Sequence, residues 1–203
     1  MRTIQSGKGM VLGILGSGSG SNMQAILDAI AEGSLRARIA LVLSDRKDAF
    51  ILQRAERHGL ATGVIDCGSW ATKFPDEVQQ ATAERLLAAG VEWVCLAGFM
   101  RMIKQPLLAA FPNRIINIHP SLLPAFPGVA AWKQALDAGV GETGCTVHWV
   151  DEGMDTGPVI LQGKVPVLAG DTAELLHQRI QQLEHRLYPA ALQLLSQREN
   201  HQN

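Results

Sequence analysis

The sequence has few cysteines and almost no net charge, and each shortage excludes a class of protein. Its three cysteines are odd in number and form no CxxC pair, which argues against a disulfide framework or a structural zinc site. With 18 basic and 19 acidic side chains the net charge is only -1, so neither nucleic acid nor a membrane surface is predicted as a partner. The cysteine usage predicts a reducing, cytoplasmic compartment.

Long apolar runs and paired metal ligands are also missing. No segment is long enough for a membrane span, and residues 1–9 contain no signal-peptide core. The histidines show no HxxxH spacing, so no metal is predicted. We expect a flexible tail over residues 1–9 and one domain over residues 10–203, a length that suits a single large core.

The chain does contain short apolar runs that alternate with amphipathic segments, which predicts strands and helices layered on a mostly parallel sheet. The first five runs are continuously apolar, as in strands covered on both faces, and two later runs favour an antiparallel edge. The predicted fold is α/β, with a doubly wound, mostly parallel, seven-stranded Rossmann-like sheet. The predicted strands are 10–15, 38–44, 61–66, 93–98, 114–119, 144–150 and 157–167.

Helical spacing of apolar residues occurs in residues 21–32, 48–58 and 76–89. A longer C-terminal helix is predicted from Asp171, as N-cap with Glu174 at the capping-box position, to about Ser196. We expect Pro189 to kink or restart this helix.

The segment LGILGSGSGSNMQAIL predicts a strand, a Gly/Ser turn and a helix. Exposed backbone N–H groups and the positive end of the helix favour one phosphate group. The spacing matches neither the GxGxxG dinucleotide motif nor a P-loop, and a tight turn without a ligand explains the glycines equally well. Asp45, after the second strand, is predicted to be a surface turn residue rather than a ribose-binding acid of a nicotinamide enzyme.

The segment NIHPSLLPAFPG ends a predicted strand with two polar side chains, Asn117 and His119. Strand alternation places both on one side, at the end of the sheet where ligands bind in open α/β folds. The amide and the imidazole can both donate to a developing oxyanion, and the three following prolines stiffen the chain. The alternative is that His119 only caps its neighbouring turn.

The segment VDEGMDTGP favours the catalytic interpretation, because it supplies carboxylates beside the same predicted site. A carboxylate near His119 would keep the imidazole charged. Among the three acids, Glu152 fits a solvated turn best, and Asp155 is the predicted partner. His148 is predicted to be a partly buried core histidine, and Cys95 a packing residue, so covalent catalysis is disfavoured.

Several segments closely resemble the folate-dependent formyltransferases, and among them the enzymes that formylate glycinamide ribonucleotide. The resemblance covers nearly the whole chain from residue 10 and implies the same doubly wound fold. It implies transfer of the formyl group of 10-formyltetrahydrofolate, a co-substrate, to the amine of 5-phosphoribosylglycinamide in purine biosynthesis. The segments are GSGSNMQAIL, LAGFMRMI, NIHPSLLPAFPG, GCTVHWVDEGMDTGPVILQ and RIQQLEHRLYP.

The resemblance also implies a role for individual residues. Asn117 and His119 would stabilise the oxyanion, with His119 as proton donor, and Asp155 would keep the imidazole charged and accept a proton through water. The implied substrate-binding residues are Gly20, Ser21 and Asn22 for the phosphate, with Gln181 and Glu184 for the ribose and glycinamide. The implied folate-binding residues are Lys73, Met100, Arg101, Met102, Ile103 and Asn117.

The chain departs from the family in three respects, one of which is that it is expected to end soon after the last helix, without the tail that some relatives carry. Ala130 and Trp132 stand where many members have histidines, so those histidines are not required by the implied chemistry. Lys73 is the nearest candidate for a basic residue that contacts the folate glutamate tail.

The sequence leaves other functions open. They are a formyltetrahydrofolate hydrolase, another formyltransferase, or a nicotinamide-dependent oxidoreductase that uses the Gly/Ser loop. A hydrolase would usually carry an N-terminal regulatory domain, and the formyltransferase that acts on methionyl-tRNA an extra C-terminal one, neither of which we expect here. The expected assembly is a monomer or homodimer that binds small molecules.

Overall fold

A computed structural model describes residues 9–68 and 73–200 of the chain. The predicted tail, apart from Gly9, lies outside the described residues. No helix within them is long and apolar enough to cross a membrane. The strands are β1 (Met10–Leu15), β2 (Ala37–Ser44), β3 (Thr62–Val64), β4 (Trp93–Leu96), β5 (Ile115–His119), β6 (Glu142–Trp149) and β7 (Val159–Pro166). The helices are α1 (Ser21–Ala31), α2 (Phe50–Arg57), α3 (Asp76–Ala88), α4 (Gln105–Ala110), α5 (Ala131–Asp137) and α6 (Ala173–Asn200).

The strands form one seven-stranded sheet in the order β3-β2-β1-β4-β5-β6-β7. The first five strands in this order pair in parallel, whereas β6 pairs antiparallel with both β5 and β7. The prediction of a doubly wound sheet with an antiparallel edge is therefore confirmed. The strand order reverses between β1 and β4, so the loops after these strands diverge and leave a crevice there.

Both faces of the central strands are buried, which explains their continuous hydrophobicity. Leu12 and Ile14 of β1 pack in the core on the side of α1 and α6, whereas Leu15 packs in the core on the side of α3 and α4. In β4, Cys95 belongs to the first core and Val94 to the second. The sheet is thus fixed from both sides and gives a rigid base to the loops at its edge.

Helices α4 and α5 are not predicted from the sequence, because six and seven residues are too few to display a helical period. The predicted N-cap of α6 is wrong by one residue. The helix begins at Ala173, and Thr172 Oγ1 accepts a hydrogen bond from Leu175 N at 3.3 Å. Asp171 instead accepts hydrogen bonds from Arg179, in the second turn of the helix, at 2.6 Å and 2.8 Å. Helix α6 continues through Pro189 without restarting.

Candidate active site

The glycine-rich loop (residues 16–20) joins β1 to α1 at the crevice. Gly20 has φ 75°, and a Cβ at this position would lie 2.7–2.9 Å from atoms of Ile51. Only glycine fits both the left-handed conformation and the close approach to α2. Ile51 N donates to Gly18 O at 3.0 Å, which also ties the loop to α2. The loop therefore presents the N-terminus of α1, beginning at Ser21, to the crevice.

Asn22 and Glu184 form a buried polar pair between α1 and α6. Asn22 Nδ2 donates to Glu184 Oε2 at 2.9 Å. Burial raises the pKa of Glu184, and the hydrogen bond from Asn22 opposes this shift. Within the described residues, the buried Asn22 Oδ1 has no hydrogen-bond partner. Because buried acceptors are rarely left unpaired, this oxygen is suited to accept a hydrogen bond from a ligand.

Asp45 is not the surface residue that the sequence predicts. Its side chain is only 4% exposed, and Oδ2 lies 2.7 Å from Arg101 Nε. Ser17 Oγ donates to Asp45 Oδ1 at 2.5 Å and accepts from Met100 N at 3.0 Å. The prediction fails because Arg101, 56 residues later, provides the charge that makes burial of a carboxylate affordable. Asp45 thereby ties the loop after β1 to the loop after β4.

Asn117 and His119 project from the C-terminal end of β5 on the same side of the sheet, as predicted. Tyr188 of α6 holds this end in place, with its hydroxyl 3.0 Å from Leu96 O and 3.1 Å from Ile116 O. The tyrosine is fully buried and joins β4 to β5. The segment RIQQLEHRLYP contains Tyr188. The contact of Tyr188 with two strand carbonyls cannot be predicted from the helical pattern of this segment, because the strands are distant in sequence.

His148 is buried as predicted, but it belongs to the site rather than to the core alone. It pairs with Asn117 across β5 and β6, and its Nε2 lies 3.1 Å from Asn117 Nδ2. Burial lowers the pKa of His148, a shift opposed by the Trp149 carbonyl and by Asp155, so the ring is neutral at neutral pH. Nδ1 lies 2.8 Å from Trp149 O and must donate, which leaves Nε2 to accept from the Asn117 amide. One amide N–H of Asn117 is thus fixed, and the second is left for the cavity.

Asp155 reaches the histidines from the acidic loop (residues 150–158). Its Oδ2 lies 3.3 Å from His119 Nδ1 and accepts a hydrogen bond from Gly128 N at 2.8 Å. Its Oδ1 lies 3.7 Å from His148 Nε2, too far for a hydrogen bond to the neutral ring. Asp155 has φ 56°, a left-handed conformation that costs a non-glycine residue about 1 kcal/mol or more. The backbone is thus bent in the way that directs this carboxylate towards His119.

The other two acids of the acidic loop have structural contacts. Asp151 Oδ1 accepts from Gly153 N at 2.9 Å and from Thr156 Oγ1 at 2.7 Å. Glu152 is exposed, and its carboxylate binds the Gln105 amide of α4. Asp155 is therefore the acid of this loop that contacts His119.

Both nitrogens of His119 face acceptors. Nε2 lies 2.9 Å from Phe126 O and must donate to it, whereas Nδ1 faces the Asp155 carboxylate. An N–H on each nitrogen satisfies both neighbours, so the surroundings suit the imidazolium ion. The His119 side chain is only 6% exposed. A positive charge on this ring would lie in a largely dry position, where its electrostatic effect is strong.

The proline-rich exit from β5 is fixed by side chains of β6 and β7. Thr146 Oγ1 donates to Ser121 O at 2.7 Å and accepts from Leu123 N at 3.1 Å. Gln162 Nε2 donates to both Leu123 O and Thr146 Oγ1. These bonds hold the segment between His119 and Phe126 in a single path.

A cavity of about 480 Å³ brings the separate parts together. Asn117, His119 and Asp155 line one side of it, and the N-terminus of α1 lines the opposite side with Gln181 and Glu184. Its walls also include Met100, Arg101, Met102 and Ile103. A separate open depression of about 600 Å³ between α1 and α6 shares only Ser21 with this cavity.

Lys73 is the one predicted site residue absent from the lining of the main cavity. It is exposed, and its backbone carbonyl accepts from Arg101 Nη1 at 2.8 Å. Cys95 is fully buried, and burial raises the pKa of its thiol to about 12, which agrees with a packing role. Among residues 9–68 and 73–200, no group of three or more His, Cys, Asp or Glu side chains is arranged to hold a metal ion.

Comparison with known proteins gives a consistent result. Residues 10–192 match the formyl transferase family model. The chain is 44% identical over 182 residues to phosphoribosylglycinamide formyltransferase of Bacillus subtilis, which covers 90% of this chain and 92% of that protein. It is similar in fold to the crystal structure of glycinamide ribonucleotide transformylase 1 from Symbiobacterium toebii, with a TM-score of 0.91 and 51% identity over 97% of this chain and 92% of that one.

The chain also matches part of much longer proteins. It is 46% identical over 185 residues to a trifunctional purine biosynthetic protein of Drosophila pseudoobscura, which covers 90% of this chain but only 13% of that protein. The chain thus spans about an eighth of the length of this relative. The nicotinamide-dependent and hydrolase alternatives gain no support from these relatives.

Proposed function

The chain belongs to the formyl transferase family, and from that premise we propose that it transfers the formyl group of 10-formyltetrahydrofolate to the amine of 5-phosphoribosylglycinamide. The observation that carries the proposal is the convergence of Asn117, His119 and Asp155 at one side of the cavity. The other side is formed by the N-terminus of α1, and helix N-termini favour phosphate binding. The proposed domain spans residues 10–203, acts in the cytoplasm as a monomer or homodimer, and requires no metal.

The proposed position of the ribonucleotide follows from the cavity wall. Its phosphate binds at Gly20, Ser21 and Asn22, where backbone N–H groups and the positive end of α1 favour an anion. Gln181 and Glu184, one turn apart on α6, face the ribose and the glycinamide. A ribose hydroxyl would satisfy the unpaired Asn22 Oδ1.

The proposed position of the folate is against the loop that follows β4. Met100, Met102 and Ile103 give this wall apolar surface, and their backbone groups can bind a polar ring. The Arg101 guanidinium is held by Asp45 and by the Lys73 carbonyl, so its proposed contribution is through its backbone. We place the proposed contact between Lys73 and the glutamate tail of the folate outside the cavity, where the tail would emerge.

In the proposed reaction the substrate amine attacks the formyl carbon and forms a tetrahedral intermediate. The free N–H of Asn117 and the cationic His119 stabilise the oxyanion. Without substrate the Nε2 proton of His119 points at Phe126 O, and in the reaction the oxyanion shares this proton. The amine proton passes to Asp155 through water, and His119 protonates the folate nitrogen as the carbon–nitrogen bond breaks. Positioning two substrates in one cavity supplies much of the remaining acceleration.

The direct test is an assay with purified protein, both proposed substrates, and absorbance of the deformylated folate product. We expect product only when phosphoribosylglycinamide is present. Release of deformylated folate at the same rate without the ribonucleotide would identify a hydrolase and overturn the proposal. Thermal shift with the ribonucleotide against NADH provides an independent check, since only a ligand of the folded state raises the midpoint.

A further inference from the structure

Trp132 and His177 form a stacked pair beside the proposed ribonucleotide side of the cavity. Their ring centroids are 3.7 Å apart and the rings are 5° from parallel. Trp132 lies in the first turn of α5 and His177 in the second turn of α6, and both side chains line the cavity. The face-to-face contact therefore joins two helices at the wall of the site.

Helix α5 has two large apolar side chains packed against the core, Trp132 and Leu136, and Trp132 is the one that stacks on His177. The fully buried residues of α5 are Ala131 and Ala135, whose side chains bury little apolar area. A tryptophan ring buries several times more surface than an alanine methyl group. A helix of seven residues is not stable by itself. The stack on His177 is thus a major attachment of α5 to the body of the protein.

The turn that precedes α5 (residues 126–130) is fastened to this helix. Gln134 Nε2 donates to Pro127 O at 3.1 Å and to Val129 O at 2.9 Å. Phe126 and Ala130 have positive φ angles of 57° and 54°. Such conformations persist in non-glycine residues only when the surroundings hold them. The 126–130 turn therefore relies on α5 for its shape.

The same turn provides one contact to each member of the catalytic pair. Its Phe126 carbonyl accepts from His119 Nε2 at 2.9 Å, and its Gly128 amide donates to Asp155 Oδ2 at 2.8 Å. A shift of the turn would move the acceptor of one group and the donor of the other at once. A displacement of about 1 Å at a reacting group can cost about 100-fold in rate.

We propose that Trp132 and His177 are positioning residues, and that their stack fixes the 126–130 turn and thereby the relative orientation of His119 and Asp155. The proposal rests on the proposed function and assigns a role to a position at which the sequence departs from many family members. Neither ring contributes an atom to the reaction. The stack acts through α5, the Gln134 amide and the turn.

The test compares Trp132→Ala, Trp132→Phe and His177→Ala with Leu136→Ala, a matched loss of a partly buried side chain from the same helix. We expect Trp132→Ala and His177→Ala each to lower kcat about 10-fold with KM for the formyl folate nearly unchanged. The double variant should lose no more than either single variant, because one stack is removed in each case. Trp132→Phe should recover most of the rate, whereas Leu136→Ala should keep it.

A second measurement separates failure of this proposal from failure of the proposed function. Nitrogen and proton NMR signals of the His119 ring report its two hydrogen bonds without turnover. We expect these signals to shift in Trp132→Ala and His177→Ala but not in Leu136→Ala, even if the wild-type protein transfers no formyl group. Unchanged His119 signals with unchanged kcat, or equal losses in Leu136→Ala, would overturn the positioning role. If Trp132→Ala does not fold, His177→Ala and Trp132→Phe decide the same question.

Discussion

The glycine-rich loop and the opposite side of the cavity differ in the atoms that they offer to a ligand. The loop presents backbone N–H groups at the start of α1, and its side chains are small. The opposite side presents Asn117, His119 and Asp155, whose side chains contact His148 or one another. A backbone site is specified by local conformation, whereas a side-chain site requires partners from several elements.

This difference predicts how each side responds to substitution. Changes on the side-chain side should act mainly on kcat, because the groups there are proposed to stabilise charge that develops in the transition state. Changes in the loop should act mainly on KM for the ribonucleotide and on stability. Substitutions on each side of the cavity test this division.

The largest expected effect is that of His119→Ala. Loss of the ring, which is cationic in the proposed reaction, should lower kcat about 1,000-fold, in the range found when a main oxyanion donor is removed. The protein should remain folded, as shown by an unchanged circular dichroism spectrum. His58, which is exposed at the C-terminus of α2, provides a matched control. His58→Ala should retain wild-type kcat. Near-normal turnover in folded His119→Ala would remove the role given to the ring.

Asp155→Asn should lower kcat about 100-fold, because a neutral amide would not stabilise the proposed charge on His119. The matched control is Glu152→Gln in the same acidic loop, where the exposed carboxylate contacts only surface groups in the described structure. It should change kcat less than about twofold. Equal losses in the two variants would show that the net charge of the loop, rather than the contact with His119, controls the rate.

Gly20→Ala should act on binding and stability rather than on chemistry. The new methyl group clashes with Ile51, and the alanine must adopt a φ of 75°. Together these effects should cost about 1 kcal/mol or more in the free energy of unfolding. We expect KM for the ribonucleotide to rise about tenfold, which corresponds to about 1.4 kcal/mol of binding. Gly18→Ala is the matched control, since no atom lies within 4 Å of a Cβ there. A tenfold fall in kcat with unchanged KM would contradict the proposed phosphate site.

The smallest expected effect is a pH dependence of stability. Burial lowers the pKa of His148, His177 and His185 below the ordinary 6.5. As the pH falls below about 6.5, the unfolded chain gains protons that the folded chain resists, so each histidine contributes a loss of stability on acidification. The loss is at most about 1.4 kcal/mol per pH unit for each histidine. Urea unfolding at pH 7.5 and 5.5 should therefore show a smaller decrease for His148→Gln than for the wild type, and an equal decrease would contradict the neutral state of His148.

The same difference between backbone and side-chain sites explains what the sequence could predict. The bounds of β1 and the start of α1 follow from a continuous apolar run that ends in glycines, a pattern contained in one segment. The position of Asn117 and His119 follows from strand alternation and the rule for ligand position in open sheets. That of Asp155 follows from an acidic segment that leaves a strand beside the same predicted site. Their catalytic roles stay a prediction until the variants are measured.

The buried contacts of Asp45 and His148 could not be predicted in this way. Asp45 is buried because Arg101 pairs with it, and the position of His148 depends on the register of β5 against β6. Both facts depend on residues far away in the sequence. Helices α4 and α5 are missed because they are stabilised by tertiary contacts rather than by a periodic pattern.

The central claim is that His119 and Asp155 act as a unit, and a double-mutant cycle tests it most directly. The kcat of His119→Ala/Asp155→Asn is measured beside those of the two single variants. If the carboxylate acts mainly through the imidazolium, so that its second proposed role as acceptor of the amine proton adds little once the ring is lost, the double variant should be slower than His119→Ala by no more than about threefold. Multiplication of the two single losses, to about 100,000-fold, would contradict the claim and show that the two groups act independently.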